Sequence, residues 1–372
     1  MERARYIMIG GFLGAGKTTS IQEFARHLDA QGLRVGLITN DQGVGLVDTA
    51  IGKANRFPVE EIAGGCFCCR FDSLVDAAAN LSTENRPDVF LAEPVGSCTD
   101  LVATVSLPLQ QIYGEDYIVA PLSVVIDPVR ARRVFGLEEG KKLSSNVCYI
   151  YEKQLEEAEV IVINKIDLLD ADQLRELRQV LTDKYPSAQL VIISAREKQN
   201  LAQWFEAVLT GESKPLRVMD VDYDRYGDGE ALLGWLNTTL RLTAADDEEF
   251  DGNALLRELA TSLRTLLRAR DIEVVHLKMT LSSADDPYEI GSINLVRSDD
   301  EPHSSHQLTE PLEEGELSLN IRAEAAPEIL EAATVAALAE VFAQLADVNC
   351  QSTHMASFRP GYPTPVHRVE KL

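Results

Sequence analysis

The chain has 372 residues, too many for one small domain and enough for about two domains with apolar cores of their own. Its 35 basic and 59 acidic residues give a formal charge of −24, which argues against nucleic acid or an anionic membrane as the main partner. The sequence contains no apolar run of about 18 residues, and its first predicted strand begins close to Met1. We therefore expect a soluble, cytoplasmic protein without a signal peptide.

In the first half of the chain, apolar runs alternate with helical patterns, as in a parallel sheet wrapped by helices. The run Val160-Ile161-Val162-Ile163 is apolar throughout, as expected for a central strand that is covered on both faces. Asp170 is expected to cap the helix that follows. We predict an α/β domain over residues 1–212, with a mostly parallel sheet flanked by helices. Its strands are predicted near residues 5–10, 33–39, 87–92, 122–126, 159–163 and 189–193.

Beyond a linker predicted at Gly211–Pro215, the sequence carries several acidic clusters. We predict a smaller α+β domain over residues 216–359, with a ferredoxin-like topology as the candidate, and an irregular tail over residues 360–372. The predicted helices of this second domain lie near residues 253–269 and 327–346, and its predicted strands near Val274–Leu281, Ile290–Val296 and Leu317–Ile321.

A glycine-rich turn follows the first predicted strand. It reads Gly11-Phe12-Leu13-Gly14-Ala15-Gly16-Lys17-Thr18, a complete GxxxxGK[ST] loop between a strand and a helix, which is the P-loop of nucleotide triphosphatases. Backbone N–H groups at the helix N-terminus favour a polyphosphate, the lysine adds a positive charge, and the threonine hydroxyl can bind Mg²⁺. We assign phosphate binding to Gly11, Gly14, Ala15, Gly16, Lys17, Thr18 and Thr19.

The base is selected by a second motif, Asn164-Lys165-Ile166-Asp167, which follows the apolar strand and matches NKxD. An aspartate can accept two hydrogen bonds from guanine, at N1–H and at the exocyclic amine. Adenine offers neither donor in that arrangement and would leave the carboxylate unpaired, at a cost on the order of 1–3 kcal/mol. We therefore predict GTP and GDP as ligands. The predicted base-binding residues are Asn164, Lys165, Asp167, Ser194 and Ala195.

Magnesium and switch elements are expected between these two motifs. Asp41 follows the second predicted strand, and Glu93 ends the third in an ExxG sequence that closes at Gly96. We predict Mg²⁺ binding by Thr18, Asp41 and Glu93, and catalytic roles for Lys17, Asp41 and Glu93. A strand-end cap is the alternative role for Asp41. Because the sequence identifies no glutamine or arginine that would accelerate hydrolysis, we expect slow intrinsic turnover that a partner, a metal or a dimer contact raises.

Three cysteines lie between the switch residues, in Gly64-Gly65-Cys66-Phe67-Cys68-Cys69. Deprotonated thiols suit a soft or borderline ion such as Zn²⁺, and the two glycines permit a tight turn that would gather the sulfurs. We predict that Cys66, Cys68 and Cys69 bind a metal. A group of small buried apolar residues is the alternative. Candidates for a further ligand are Cys98, Glu60, Glu61, Asp41 or a residue from the second subunit of a homodimer.

Two histidines, His303 and His306, lie in an acidic stretch of the second domain that we predict to be a loop. Imidazoles there could capture a metal ion transiently. A solvated loop without a ligand is the simpler interpretation.

Four motifs together characterise the first domain: GFLGAGKTT at Gly11–Thr19, GGCFCC at Gly64–Cys69, ExxG at Glu93–Gly96 and NKxD at Asn164–Asp167. This set resembles that of the CobW-type GTPases, which are similar in turn to the GTPases that help load nickel into urease and hydrogenase. The resemblance is close over the first domain and loose over the remainder.

The resemblance implies a GTP-hydrolysing metallochaperone. Cys66, Cys68 and Cys69 match the family's metal-binding CxCC, with zinc or cobalt, the metal of cobalamin, as the bound ion. The nucleotide state would control delivery of the ion to a client metalloprotein or a cofactor pathway. The chain departs from the family pattern in two places. Residues 40–45 stand where a glutamate-rich switch is more usual, and Cys98 is an extra cysteine after the ExxG.

Two other functions are compatible with the same motifs. One is a GTPase chaperone that reactivates a corrinoid or other cofactor-dependent enzyme by conformational work and binds zinc only structurally. The other is a metal-binding buffer that is not an enzyme and whose nucleotide is a folding ligand. Nucleotide-dependent metal affinity would distinguish the metallochaperone from both.

Overall fold

The computed structural model describes residues 3–41, 57–83, 86–245, 248–286, 288–345 and 347–372. The chain divides into two compact units. The first contains the described residues up to Asp41, those within Phe57–Gly229 and the segment Tyr362–Leu372, and the second contains those within Glu230–Gly361. None of the helices in the described ranges combines the length and the apolar composition that a bilayer crossing requires.

A parallel sheet forms the centre of the first unit. In the described ranges its strands are β1 Ala4–Gly10, β2 Val35–Asp41, β3 Val59–Ala63, β4 Val89–Glu93, β5 Tyr117–Val119, β6 Ser123–Ile126, β7 Val160–Ile163 and β8 Gln189–Ile192. Their order is β3-β2-β4-β1-β6-β7-β8, with β5 also paired to β1, and all of these pairs are parallel. The predicted α/β class with a parallel sheet is therefore confirmed. The carboxyl ends of all these strands face one edge of the sheet, where open α/β folds bind ligands.

Helices connect these strands. They are α1 Lys17–Ala30, α2 Phe71–Leu81, α3 Leu107–Tyr113, α4 Pro128–Val134, α5 Ser145–Glu157, α6 Ala171–Lys184, α7 Leu201–Thr210 and α8 Tyr223–Leu232, with a π-helix at Val102–Ser106 and a 3₁₀ turn at Ile166–Leu168. Helix α1 buries Phe24 in the core, where its ring stacks on that of Phe205 at 4.2 Å. Asp170 caps α6, as predicted, by accepting hydrogen bonds from two backbone N–H groups of its first turn.

The six strands predicted for this unit correspond to β1, β2, β4, β6, β7 and β8. The sequence did not predict β3 and β5. Strand β3 lies at the edge of the sheet and carries Glu60 and Glu61, so it has neither the apolar run of a central strand nor a clear alternation. Strand β5 has only three residues, too few to give a recognisable pattern.

The second unit has an antiparallel sheet. In the described ranges its strands are β9 Gly234–Ala244, β10 Val274–Ser283, β11 Ile290–Leu295, β12 His303–His306, β13 Glu314–Ala323 and β14 Val348–Phe358, and its helices are α9 Gly252–Arg268 and α10 Pro327–Gln344. The strand order is β12-β11-β10-β13-β9-β14, and all of these pairs are antiparallel. Without β11 and β12, the succession β9-α9-β10-β13-α10-β14 is the ferredoxin-like β-α-β-β-α-β arrangement, as the sequence suggested.

Leucines at helical spacing explain how helix α9 packs against the sheet. Leu256, Leu259 and Leu263 are buried and belong to the same apolar core as Leu277 and Met279 of β10. The helix repeat of 3.6 residues places the three leucines on one face, whereas the strand residues two apart share one side of the sheet. The two periods together therefore specify this helix-on-sheet layer.

One local prediction for this unit is wrong. His303 and His306 do not lie in a loop but at the two ends of β12, opposite Asn294 and Ser292 of β11. The ring Nδ1 of His306 lies 3.0 Å from the Ser292 hydroxyl. The conformation of this segment depends on its pairing with β11, which the acidic local sequence does not reveal.

Candidate nucleotide and metal site

The P-loop joins β1 to α1 at the carboxyl edge of the parallel sheet. Its conformation favours glycine at three positions, because Gly11, Gly14 and Gly16 have φ values of +127°, +77° and +92°. A Cβ atom at Gly11 would lie 2.1 Å from the carbonyl oxygen of Val125, and one at Gly16 would lie 2.6 Å from Nδ2 of Asn164. The loop therefore packs directly against the strand and the NKxD segment beside it.

Lys17 and Thr18 lie where the P-loop enters α1. The Lys17 ammonium is buried and donates a hydrogen bond to the carbonyl oxygen of Gly11 at 2.8 Å, so the charge lies within the curve of the loop. The Thr18 hydroxyl donates to a carboxylate oxygen of Glu93 at 3.1 Å. The structure thus brings together two of the three predicted magnesium ligands, one from α1 and one from the end of β4. Oxygen donors in contact fit Mg²⁺.

Asp41 and Thr19 differ from the other predicted phosphate and magnesium residues in their placement. Asp41 ends β2, but its side chain is outside the described part of the chain, as are residues 42–45 that follow it. Its predicted metal and catalytic roles therefore stay predictions. Thr19 is the second residue after Lys17 and its side chain is exposed at the surface beside the loop.

Asn164 connects the P-loop to the segment after β8, which is part of the predicted base-binding site. Its amide Nδ2 donates to the carbonyl oxygen of Ala15 at 3.0 Å, and its Oδ1 accepts from the backbone N–H of Ala195 at 3.0 Å. The side chain is buried, so both polar ends of the amide are satisfied inside the protein. Loss of this amide would disconnect the phosphate loop from the loop after β8.

Asp167 and Ser194, two of the predicted base-binding residues, lie together. The Ser194 hydroxyl donates a hydrogen bond of 2.6 Å to the Asp167 carboxylate. Ser194 itself is buried, whereas Asp167 is exposed, so its carboxylate is held from one side and open on the other. This arrangement can accept the two donors of a guanine ring.

One residue of this site was missed by the sequence analysis. Asp127 directly follows β6, is buried, and accepts a 2.9 Å ion-pair hydrogen bond from the Lys165 ammonium. Lys165 also donates to the carbonyl oxygen of Gly14 at 2.6 Å. The carboxylate therefore positions the lysine over the P-loop. The only sequence signal was the pair Asp127-Pro128 between a strand and a helix, which is common at helix starts in general.

The three clustered cysteines form a turn between β3 and α2. Gly64 and Gly65 lead into it with φ values of +77° and +156°, in the region that favours glycine. The backbone N–H groups of Cys69 and Arg70 then donate to the carbonyl oxygen of Cys66 at 3.0 and 2.9 Å. This return of the chain is what places the three side chains on the same side.

The sulfur atoms of this turn are in contact. Sγ of Cys66 lies 2.9 Å from Sγ of Cys68 and 2.9 Å from Sγ of Cys69, and the remaining pair is 3.8 Å apart. With Zn–S bonds of about 2.3 Å, tetrahedral geometry separates two sulfur ligands by roughly 3.8 Å. A bound ion would need to spread Cys66 from its two neighbours by less than an ångström, on the order of a small side-chain rotation.

The protonation of the cluster also suits a metal. Hydrogen bonds with the thiols of Cys68, Cys69 and Cys98 hold the pKa of Cys66 well below its usual range. The hydrogen bond to Cys66 in turn raises the pKa of Cys68. Cys66 is therefore the first of these thiols to form a thiolate, which the hydrogen bonds of its neighbours stabilise. Since metals bind thiolates, not thiols, the turn is prepared to accept a cation.

The candidates for a further ligand differ in their placement. Among the described residues, the group of ligand atoms lying within 4.8 Å of one another consists of the thiols of Cys66, Cys68 and Cys69. The Glu60 carboxylate instead accepts a 3.4 Å hydrogen bond from Asn80, and Glu61 is likewise outside that group. The side chain of Asp41 is not described.

Asn40 of β2 connects the switch strand to the cysteine turn. Its Nδ2 donates to the carbonyl oxygens of Ile62 at 2.9 Å and Gly65 at 2.6 Å. The side chain is buried, one residue before the predicted magnesium ligand Asp41. A shift of β2 at this end would therefore move the start of the cysteine turn.

The C-terminal segment Tyr362–Leu372 has no helix or strand and packs on the cysteine turn. The backbone N–H of Val366 donates to the carbonyl oxygen of Cys68 at 2.9 Å. The backbone N–H of Thr364 donates to Sγ of Cys69 at 3.3 Å. A backbone donor to sulfur stabilises a thiolate, so this segment is part of the site's surroundings.

An ion pair anchors this C-terminal segment. The Arg368 guanidinium donates to the buried Asp100 carboxylate at 2.7 Å, and the Tyr223 hydroxyl donates to the same carboxylate at 2.7 Å. The ring of His367 meets that of Phe71 edge-on at 4.9 Å. Phe71 lies just after the cysteine turn in the sequence, and Asp100 lies just after the ExxG segment. No local pattern in the last residues of the sequence predicted these contacts.

A buried carboxyl group supports the segment after the ExxG. Glu157, the last residue of α5, accepts hydrogen bonds from the backbone N–H of Val102 at 2.9 Å and the hydroxyl of Thr99 at 3.2 Å. Burial raises its pKa from 4.5 to about 8 despite these hydrogen bonds. The carboxyl therefore keeps its proton in the folded protein where the unfolded chain has lost it.

This shift predicts a pH dependence of stability. Between pH values of about 5 and 8 the folded state binds one proton more than the unfolded state at Glu157, so the free energy of unfolding falls as the pH rises, by roughly 1.4 kcal/mol per pH unit. Glu157→Gln keeps the shape without the proton. We expect denaturant midpoints to show that the stability of the variant relative to that of the wild type increases from pH 5.5 to pH 8. Parallel pH profiles of the two proteins would contradict the assignment.

A family model supplies the next observation. The model for the CobW/HypB/UreG nucleotide-binding domain matches residues 5–192, just over half of the chain. The chain belongs to the CobW/HypB/UreG family. The resemblance inferred from the motifs is confirmed, and the matched range contains the P-loop, the cysteine turn, the ExxG and the NKxD of this CobW/HypB/UreG member.

Curated CobW/HypB/UreG relatives include zinc chaperones. The chain is 31% identical over 198 residues to the zinc chaperone CobW of a Sinorhizobium species, covering 48% of this chain and 55% of that protein. It is 29% identical over 163 residues to the zinc chaperone YeiR of Escherichia coli, covering 43% of this chain and 46% of that one. The chain therefore spans about half the length of these relatives.

Comparison with solved structures finds, among others, a GTPase and a nickel complex. Zn(II)-bound YjiA of E. coli is 16% identical, with 92% of this chain and 99% of that chain covered, at a TM-score of 0.37. HypB from Helicobacter pylori in complex with nickel is 16% identical, with 57% and 90% covered, at a TM-score of 0.40.

Proposed function

We propose that this CobW/HypB/UreG member is a GTP-hydrolysing metallochaperone that carries zinc, with cobalt as the second candidate ion. The observation that carries the proposal is the placement of three thiols at the same sheet edge as a P-loop and an NKxD segment. Zinc is favoured by the thiol ligands and by the zinc chaperones among the relatives. A reducing cytoplasm would keep all six cysteines in the thiol form found here.

In this proposal the P-loop and NKxD residues bind GTP. Lys17 would neutralise the β- and γ-phosphates, and Thr18 and Glu93 would hold the Mg²⁺ that accompanies the nucleotide and offsets its charge. Asp167 would select guanine, with Ser194 holding its carboxylate. Because the sequence identifies no glutamine or arginine that would accelerate hydrolysis, we expect slow intrinsic hydrolysis until a client protein, a metal or a second subunit completes the site.

The metal would act as cargo. Thiolates of Cys66, Cys68 and Cys69 would bind it, and a change in the ExxG segment on loss of the γ-phosphate would alter its surroundings. Two contacts support such a connection. A Cβ at Gly96 would lie 2.8 Å from the Leu13 side chain of the P-loop, so the two segments are packed together. On the other side, Asn40 links β2 to the start of the cysteine turn.

The test is a titration of Zn²⁺ and Co²⁺ against the protein loaded with GDP or with a non-hydrolysable GTP analogue. Allosteric couplings are typically 1–3 kcal/mol, so we expect the metal affinities of the two forms to differ by roughly 5- to 150-fold. Lys17→Ala, which weakens the nucleotide site, is the matched control and should show one affinity under both conditions.

Each alternative makes a different forecast. Tight metal binding that ignores the nucleotide, together with GTP turnover, would indicate a structural zinc in a chaperone of another kind. Metal binding without turnover under any metal or nucleotide condition would indicate a buffer. Either result would overturn the metallochaperone proposal.

A further inference from the structure

A fourth thiol lies beside the cysteine turn. Cys98 is buried, with 2% of its surface exposed, and its thiol is hydrogen-bonded to those of Cys66 and Cys68. It lies outside the group in which all sulfurs are within 4.8 Å of one another, so it approaches from the side of Cys66 and Cys68, not of Cys69. Cys98 follows the turn by many residues in the sequence, and the fold brings the two segments together.

The coordination chemistry of zinc indicates a role for this thiol as a metal ligand. Three thiolates on a tetrahedral ion leave one position open, and a fourth sulfur closes it as in Cys₄ sites. The nearby carboxylate Glu60 is engaged with Asn80 instead. Of the candidates for a further ligand whose side chains are described, Cys98 is the one in contact with the thiols of the turn.

Cys98 belongs to the segment that begins with the ExxG. Its backbone N–H donates to the carbonyl oxygen of Val95 at 3.0 Å, which folds the segment into a turn. The Gln154 amide donates to the carbonyl oxygens of both Gly96 and Cys98, at 2.9 and 2.8 Å. The two residues are therefore held as one unit, and Gly96 packs on Leu13 of the P-loop.

We propose that Cys98 is a fourth sulfur ligand for a soft divalent cation held by Cys66, Cys68 and Cys69, and that it is the ligand whose position depends on the nucleotide. Its place after the ExxG makes the link direct: a displacement of Gly96 toward or away from a γ-phosphate moves the fourth sulfur with it. The dependence on nucleotide rests on the proposed function, whereas the identity of the ligand does not.

The ligand set can be counted in the wild-type protein. X-ray absorption at the zinc edge, with one equivalent of Zn²⁺ and no nucleotide, should give four sulfur atoms at about 2.3 Å. Three sulfurs with one nitrogen or oxygen would overturn the assignment. This measurement needs no variant, so it stands even if substitutions at this buried position impair folding.

A variant then assigns the fourth sulfur. With Co²⁺ as the probe, sulfur-to-metal charge-transfer absorbance follows the number of thiolates, so Cys98→Ser should lower it by about a quarter. Cys148→Ser is the matched control, because the Cys148 thiol contacts the Leu143 carbonyl instead of the cluster, and it should leave the spectrum unchanged. An unchanged spectrum in Cys98→Ser would exclude Cys98 as a ligand.

The nucleotide dependence is tested separately by Zn²⁺ titration in the GDP and GTP-analogue forms. If Cys98 carries the coupling, the ratio of the two affinities in Cys98→Ser should approach one while the wild type keeps its difference. A variant that keeps the full wild-type ratio would overturn this part of the proposal. If the wild type shows no difference, the proposed function fails, and the sulfur count still decides whether Cys98 is a ligand.

Discussion

Asp167→Ala should abolish most of the preference for GTP over ATP. Each hydrogen bond to a charged partner contributes about 1.5–3 kcal/mol, and the carboxylate would make two of them with guanine, so GTP affinity should fall by at least roughly 100-fold. ATP, which makes neither bond, should bind about as well as before. Competition between the two nucleotides for a fluorescent analogue measures the ratio.

Two variants sharpen this experiment. Lys17→Ala should weaken GTP and ATP alike, because it removes a contact to the phosphates and none to the base. Asp167→Asn offers an amide donor in place of one acceptor and should favour xanthosine triphosphate, whose C2 carbonyl replaces the guanine amine. If Asp167→Ala kept the full preference for GTP, the base-binding assignment of the NKxD segment would be wrong.

Replacing Cys66, Cys68 and Cys69 together by serine should abolish stoichiometric binding of Zn²⁺. A serine hydroxyl keeps its proton near neutral pH and is a poor ligand for a borderline metal. Changing only the hydrogen-bond partners of ligands typically costs 10- to 100-fold in affinity, so loss of three ligands should cost well over 100-fold. Equilibrium titration with a zinc indicator measures it.

The same variant should remain folded, because the turn is held by glycine conformations and backbone hydrogen bonds that serine does not alter. Circular dichroism and GTP binding check this point. Cys350→Ser, at an exposed position of β14, is the matched control and should bind zinc as the wild type does. Zinc retained at full affinity by the triple variant would place the metal site elsewhere in the chain.

Not all helices and strands could be predicted from the sequence, and β14 shows one reason. Strands such as β7 are apolar throughout, so composition alone identifies them. Strand β14 is largely exposed and polar, and it exists because it pairs with β9 over its whole length. Its backbone partners come from a segment about a hundred residues earlier, which no local window contains.

The site shows the same division. The P-loop, the NKxD segment and the cysteine turn each occupy a few consecutive residues, so their chemistry can be predicted from spacing alone. Asp127 is 38 residues from the lysine that it pairs with, and Thr364 is 295 residues from the Cys69 sulfur to which it donates. Such partners depend on which strands lie side by side.

The sequence by itself determined that the first unit is a phosphate-binding α/β fold with a guanine motif and a thiol cluster, because contiguous residues create backbone nests, donor patterns and turns locally. Only the tertiary structure decided that Cys98 meets the other thiols, that Asn40 braces their turn and that the C-terminal segment packs on it. The physical reason is that parallel strands bring their carboxyl ends to one edge whatever their distance along the chain, and packing then selects which side chains meet there.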